Sequence, residues 1–186
     1  MKSPFYFIAK PHNGTRYANT EDWDGVDIIV NTSEEDAKFS NRIAEVVEVP
    51  SDYNGPIKKG YTLLVHHNVF KYYNDMRGRR RSGRSFFKED MFFIDPDQFF
   101  MYHDGDKWNA YDRYCFVSPV PAEECFLHKP THEPLMGRME YPNDYLISKG
   151  VIQGSLVSFT PDSEYEFDVE GETMYRVFDH QITMKL

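Results

Sequence analysis

Short runs in which hydrophobic and polar residues alternate make up most of this chain, and turn-forming residues separate them. Runs of about four to eight residues with this alternation are typical of β-strands. We predict strands at residues 5–10, 44–49, 62–70, 85–94 and 98–102, and again at 114–118, 137–142, 154–159, 165–169, 174–182 and 182–186. The pattern therefore predicts an all-β protein with almost no helix.

Residues 11–42 interrupt this pattern, because they are acidic, rich in turn residues and carry one apolar triplet, Ile28, Ile29 and Val30. A loop longer than about 15 residues in a compact domain is usually a binding loop or disordered. The polar flanks of the triplet offer too little apolar surface to offset the entropy of ordering them. We predict a mobile loop that presents the triplet to a partner. A short buried strand is the alternative, since strands of this length are common.

Five elements around this loop occur in an order that is specific enough to suggest a family. They are PFYFIAKP at 4–11, the loop with its triplet, AEVVEVP at 44–50, IKKGYTLLVHHNVF at 57–70 and FFKEDMFFIDPDQFFMY at 86–102. Over residues 5–102 the chain resembles the GroES co-chaperonin family in the order and spacing of these elements. Subunits of that family are small β-barrels that form a ring and cap a chaperonin by inserting the loop triplet between apical-domain helices.

This resemblance implies a co-chaperonin that caps a GroEL-like chaperonin ring and encloses an unfolded substrate protein. Ile28, Ile29 and Val30 would then be the partner-binding residues. The resemblance further implies a homo-oligomeric ring and no cofactor, because ATP is bound by the partner chaperonin. Many members of the family have a longer hairpin that roofs the dome at the position of residues 50–60. The short segment here implies a reduced roof, as phage-encoded relatives can have.

The second half of the chain repeats the first at low identity but in the same order. Residues 114–118 correspond to 5–9, 137–142 to 45–50, 154–159 to 60–65 and 174–182 to 91–99. We predict two GroES-like barrels in tandem, at residues 1–103 and 114–186, joined by a linker at 104–113. The first strand, residues 5–10, and the last, residues 181–186, are candidates for exposed edges that pair between chains in a ring.

The segment of the second unit that corresponds to the mobile loop is shorter and spans residues 121–135. It has its own apolar triplet, Cys125, Phe126 and Leu127, but prolines at three positions restrict its reach. We therefore expect Phe126 to pack against its own unit. Docking is expected through the first unit alone.

A basic run at residues 71–84 contains five arginines between positions 77 and 84. One interpretation is a contact with an acidic substrate protein, a cavity surface or nucleic acid, made by Tyr72, Tyr73, Arg79, Arg80 and Arg81. The other is a solvated hairpin tip, because glycines bracket the arginines as turn residues do. We favour the hairpin tip and leave a substrate contact open.

Composition excludes several classes of partner. The net charge is −9 with a pI near 5.2, which disfavours nucleic acid as a partner of the whole protein. No apolar run approaches the roughly 20 residues of a membrane span. Two cysteines and the lack of a secretory signal at the first residues indicate a cytoplasmic protein, in the host cytoplasm if it is phage-encoded.

Catalytic and metal-binding patterns are weak, so we expect no enzyme activity and no metal. His66 and His67 are neighbours in a predicted strand, which would direct them to opposite faces. One short segment holds four residues of metal-binding type at spacings that fit no standard zinc pattern, namely Cys125, His128, His132 and Glu133.

Two alternatives to the co-chaperonin remain. The first is a structural or interaction protein, phage-encoded or not, that uses its arginine run on nucleic acid or an acidic partner. The second is a barrel without ring assembly, of the kind found within unrelated enzymes.

Overall fold

A computed structural model describes residues 2–17, 20–23, 26–29, 39–122 and 132–186, with backbone alone for 20–23 and 26–29. The chain divides into two compact units, Met1–Lys107 and Trp108–Leu186. The described residues form antiparallel strands and a single short α-helix, so the all-β prediction is confirmed. None of the described helices has the length and apolar character needed to cross a membrane.

Unit 1 has six strands in one sheet and two separate two-stranded hairpins. The strands are β1 Phe7–Pro11, β2 Thr20–Trp23, β3 Val26–Ile29, β4 Ile43–Glu48, β5 Thr62–Val65, β6 Tyr72–Asn74, β7 Arg80–Ser82, β8 Phe86–Lys88, β9 Met91–Ile94 and β10 Phe99–His103. Within this unit the main sheet has the order β10-β5-β4-β1-β9-β8, and β2 pairs with β3 and β6 with β7.

Unit 2 contains a six-stranded sheet, a short strand before it and the helix. Its elements are β11 Trp108–Ala110, β12 Tyr114–Pro121, β13 His132–Tyr141, α1 Asp144–Ser148, β14 Leu156–Phe159, β15 Tyr165–Val169, β16 Glu172–Phe178 and β17 Ile182–Lys185. The sheet order is β17-β14-β13-β12-β16-β15. The side chain of Asn143 caps the helix by accepting a hydrogen bond from the backbone N–H of Leu146 at 2.9 Å.

The two units share one topology, because β10, β5, β4, β1, β9 and β8 correspond in order to β17, β14, β13, β12, β16 and β15. Each has a 3-10 turn before its last strand. In one turn the Gln98 side-chain oxygen accepts a hydrogen bond from the backbone N–H of Asp95, and in the other Gln181 accepts one from Phe178, both at 3.0 Å. The internal repeat inferred from the sequence is thus present in the strand order.

The barrel part of the fold prediction is not confirmed. In the described part of the chain each main sheet is open, with β8 at one end of the first and with β15 and β17 at the ends of the second. The predicted edge at residues 5–10 is wrong, because β1 lies between β4 and β9 and pairs with both. The other predicted edge, at the C-terminus, is correct for β17.

Aromatic side chains fill the core of unit 1, as their density in the sequence indicates. Phe7 meets Phe99 edge-on with ring centroids 5.3 Å apart, and Phe70 meets Phe92 at 4.8 Å. All four are completely buried. The core of unit 2 is more aliphatic and is built around Cys115, Val117, Met139, Leu146, Val151, Val157, Phe159 and Val177.

Three predicted boundaries differ from the structure. The strand predicted at 62–70 ends at Val65, where a turn begins in which the N–H of Val69 donates to the carbonyl of His66 at 3.0 Å. The predicted linker contains β11. The connection between β12 and β13 is shorter than residues 121–135, because His132 already pairs with Pro121.

Candidate functional site

The most distinctive feature of unit 1 is a two-stranded ribbon inserted between two strands that pair directly with each other. β1 and β4 form an antiparallel ladder in which Pro11 faces Ala44, and residues 12–42 connect these two strands. Inside this excursion β2 pairs with β3, with Glu21 opposite Ile28 and Thr20 opposite Ile29. We call β2 and β3 the ribbon.

The ribbon contains two residues of the predicted triplet. Ile28 and Ile29 lie on β3, and Val30 lies outside the described residues. The expectation that residues 11–42 form no strand is therefore wrong for these positions. The alternative, a short strand, is correct as to conformation, but in the part of the chain that the structure describes β3 belongs to the ribbon and not to the main sheet.

A sequence signal for the ribbon exists and was missed. Trp23 and Val26 flank the dipeptide Asp24-Gly25, which is among those favoured in two-residue hairpin connections. Acidic residues on both sides outweighed this signal, because a polar composition favours a loop.

The base of the ribbon is fixed to the main sheet by hydrogen bonds from Asn41. Its backbone N–H donates to the carbonyl of Arg16 at 2.9 Å, and its side-chain amide donates to the carbonyls of His12 at 3.0 Å and Thr15 at 2.7 Å. Its side-chain oxygen accepts from the N–H of Ile43 at 2.8 Å, at the start of β4. The excursion thus starts and ends at a defined position, closed by one further bridge between Tyr17 and Ser40.

The basic run forms a hairpin, as predicted, which we call the arginine hairpin: β6, β7 and the turn between them. Its tip is organised by Asp75, whose carboxylate accepts hydrogen bonds from the N–H groups of Arg77 and Arg79, both at 2.9 Å, and lies 3.4 Å from Nε of Arg81. The N–H groups of Arg79 and Arg77 lower the pKa of Asp75 below its ordinary value. The carboxylate of Asp75 therefore holds the turn, and it is the only carboxylate within residues 71–84.

The predicted contact residues of the arginine hairpin divide into two groups. Arg79, Arg80, Arg81 and Tyr73 are exposed to solvent. Tyr72 is half-buried and lies beneath the guanidinium of Arg80, 3.9 Å from its carbon to the ring centroid. It therefore contributes to the base of the hairpin, whereas Tyr73 is open to a partner.

The bases of the hairpin and the ribbon pack against each other. The backbone N–H of Tyr72 donates a 2.8 Å hydrogen bond to the hydroxyl of Tyr17, and the two rings stack with centroids 6.0 Å apart. Arg16 donates to the hydroxyl of Ser82 at 3.0 Å, and its guanidinium lies 4.2 Å from the centroid of the Tyr72 ring. Sequence reasoning missed Arg16 and Tyr17, because their partners are more than fifty residues away.

The prediction that His66 and His67 face opposite directions is wrong. β5 ends at Val65, so His66 and His67 are in the turn that follows, with ring centroids 4.1 Å apart. Burial, together with the charges of His66, Arg42 and Lys71, lowers the pKa of His67 to about 4. These neighbouring cations disfavour a bound metal ion.

The weak metal pattern of the second unit falls largely outside the described part of the chain. Cys125 and His128 lie there, and so do Phe126 and Leu127 of the second triplet. His132 and Glu133 begin β13. Among the described residues no group of three or more His, Cys, Asp or Glu side chains is placed to hold a metal.

Comparison with known proteins gives no match, either to a family model or to a curated protein sequence. The function is therefore inferred from the residues and the geometry given above.

Proposed function

We propose that this protein is a co-chaperonin that docks on a GroEL-like chaperonin ring through Ile28, Ile29 and Val30. The observation that carries the proposal is the insertion of the ribbon, with its fixed base, between the directly paired strands β1 and β4. A segment attached in this way changes its contacts without disturbing the main sheet. The resemblance of residues 5–102 to co-chaperonins supports the same reading.

Docking by a single chain is expected to be weak. Burial of a branched aliphatic side chain contributes roughly 1.5–3 kcal/mol, so the triplet offers on the order of 5–8 kcal/mol in total. Ordering each residue around it costs about 1–2 kcal/mol, which offsets most of this gain. Stable capping therefore requires several ribbons held in one ring. Once one ribbon binds, the others are held at high effective concentration near the chaperonin, which compensates for the low affinity of each chain.

A homo-oligomeric ring of this kind encloses an unfolded substrate protein in the cytoplasm. ATP acts through the chaperonin, and the chain itself contributes no catalytic group to the proposed function. The open edge at β17 supports assembly, because an unpaired strand edge is a template for pairing with another chain.

The two units divide the work in this proposal. The excursion between β1 and β4 spans residues 12–42, whereas the corresponding connection between β12 and β13 spans only residues 122–131. A short connection limits how far its own triplet, at residues 125–127, can reach. Unit 1 therefore docks, and unit 2 serves the architecture of the ring.

Sedimentation with a purified GroEL-like chaperonin tests the proposal. The protein is expected to sediment with the chaperonin in the presence of ATP or ADP and to remain free without nucleotide. Free protein under all three conditions would contradict it. Salt-dependent binding to nucleic acid in the same preparation would instead favour a structural or interaction protein.

A further inference from the structure

We propose that the arginine hairpin is a second contact with the protein on which the ribbon docks, and that it binds an acidic patch beside that partner's apolar groove. This inference rests on the proposed function, since the partner is the one that the ribbon binds.

Position is the first argument. The two hairpins share a base at Tyr17 and Tyr72, where a 2.8 Å hydrogen bond and ring stacking join them. A strand rises about 3.3 Å per residue, so the three residue pairs of β6 and β7 place the tip about 10 Å from that base. A partner surface that covers the base of the ribbon therefore meets the arginines as well.

Uncompensated charge is the second argument. Residues 71–84 contain six Lys and Arg side chains and one acid, in a chain whose acids outnumber its Lys and Arg by 30 to 21. The single acid, Asp75, is engaged by the turn and by Arg81. The side chains of Arg77, Arg79 and Arg84 are exposed and have no acidic partner among the residues whose side chains the structure describes. Guanidinium groups bind carboxylates through paired hydrogen bonds, which fits an acidic protein surface.

Apolar exposure at the same place favours a protein over a nucleic acid. Met76 at the tip is fully exposed, and Tyr73 is 56% exposed. A flexible thioether next to cations suits a protein surface that offers carboxylates and apolar atoms together. A nucleic acid long enough to extend past the hairpin would also be repelled by the net negative charge of the rest of the chain.

Chaperonin binding by a charge-deleted hairpin tests this inference. Arg77→Ala, Arg79→Ala and Arg84→Ala are combined in one variant, and Lys58→Ala with Lys59→Ala, two exposed lysines outside the hairpin, serve as the matched control. We expect the triple variant to bind at least about tenfold more weakly at low salt, with a shallower salt dependence, and the control to bind like the wild type. The melting temperature of the triple variant should equal that of the wild type, because the three substituted side chains are exposed.

Three outcomes would overturn the inference. In the first, the triple variant binds the chaperonin as tightly as the wild type while Ile29→Ser abolishes binding. This result would leave the proposed function intact and rule out the second contact. A wild-type protein that never binds the chaperonin removes both. In the third, the wild type binds a fluorescein-labelled single-stranded oligonucleotide, and the triple variant loses this binding but still binds the chaperonin. This result would assign the arginines to nucleic-acid binding.

Discussion

The hydroxyl of Tyr17 accepts a hydrogen bond from the backbone N–H of Tyr72 at 2.8 Å, across fifty-five positions of the chain. Tyr17 precedes the ribbon, and Tyr72 begins the arginine hairpin. The two rings also stack, which removes Tyr17 almost completely from solvent. This contact couples the two hairpins of unit 1 at their bases.

Removing the Tyr17 hydroxyl tests this coupling. Tyr17→Phe keeps the ring but leaves the N–H of Tyr72 without its acceptor, so we expect a loss of about 1 kcal/mol in the free energy of unfolding. Tyr61→Phe is the matched control, because its ring stacks on Tyr102 while its hydroxyl has no hydrogen bond in the described structure. Urea denaturation should show the control within about 0.5 kcal/mol of the wild type. Equal effects of the two changes would contradict the coupling.

The shared topology of the two units predicts equivalent effects at one pair of glycines. The N–H of Gly60 donates to the carbonyl of Val46 at 2.8 Å, and the N–H of Gly154 donates to that of Met139 at 2.7 Å. Both glycines have positive φ, +87° and +83°, so alanine at either position should cost about 1–2 kcal/mol. Asparagine at the same positions should cost less, because it tolerates this conformation. Urea denaturation of the two alanine variants measures both losses of stability. A loss for only one of the two variants would contradict the equivalence of Gly60 and Gly154.

The positions of the main-sheet strands were accessible from the sequence, whereas their order in the sheet was not, and the site was accessible only in part. Alternation located β4 and β9, in which every second residue is buried, whereas apolar runs located β1 and β12, in which three consecutive residues are buried. The strand that contains Ile28 and Ile29 was not predicted, because the acidic composition around the Asp24-Gly25 hairpin signal favoured a loop. The packing of Tyr17 on Tyr72 has no local signature, since it depends on how distant segments are brought together by the main sheet.

The pKa of His67 predicts a window of pH-dependent stability. Burial first, then the charges of His66, Arg42 and Lys71, lower the pKa to about 4, below the ordinary 6.5. Between these values the unfolded state binds a proton that the folded state does not, so stability should fall as pH decreases from about 6.5 to about 4. His67→Asn should reduce this fall, and the exposed His12→Asn should not. Identical pH profiles of the wild type and His67→Asn would contradict the shift.

Assembly through β17 predicts sensitivity to charge on that edge. Met184 on β17 is 59% exposed, and a lysine there should oppose pairing with another chain while leaving the core unchanged. Light scattering of Met184→Lys is expected to show smaller species than the wild type. Tyr145→Lys, at a similarly exposed position on α1, is the control and should retain the full size. Full-size assemblies of Met184→Lys would show that β17 is not an essential interface.

Docking through the triplet is the central claim, and the sedimentation of Ile29→Ser with a GroEL-like chaperonin in the presence of ATP tests it most directly. The change should abolish co-sedimentation without lowering the melting temperature, because β3 lies outside the main sheet. Ile152→Ser, an isoleucine of unit 2 that is 55% exposed, is the matched control and should sediment like the wild type. Undiminished binding of Ile29→Ser, at the same melting temperature, would contradict the account.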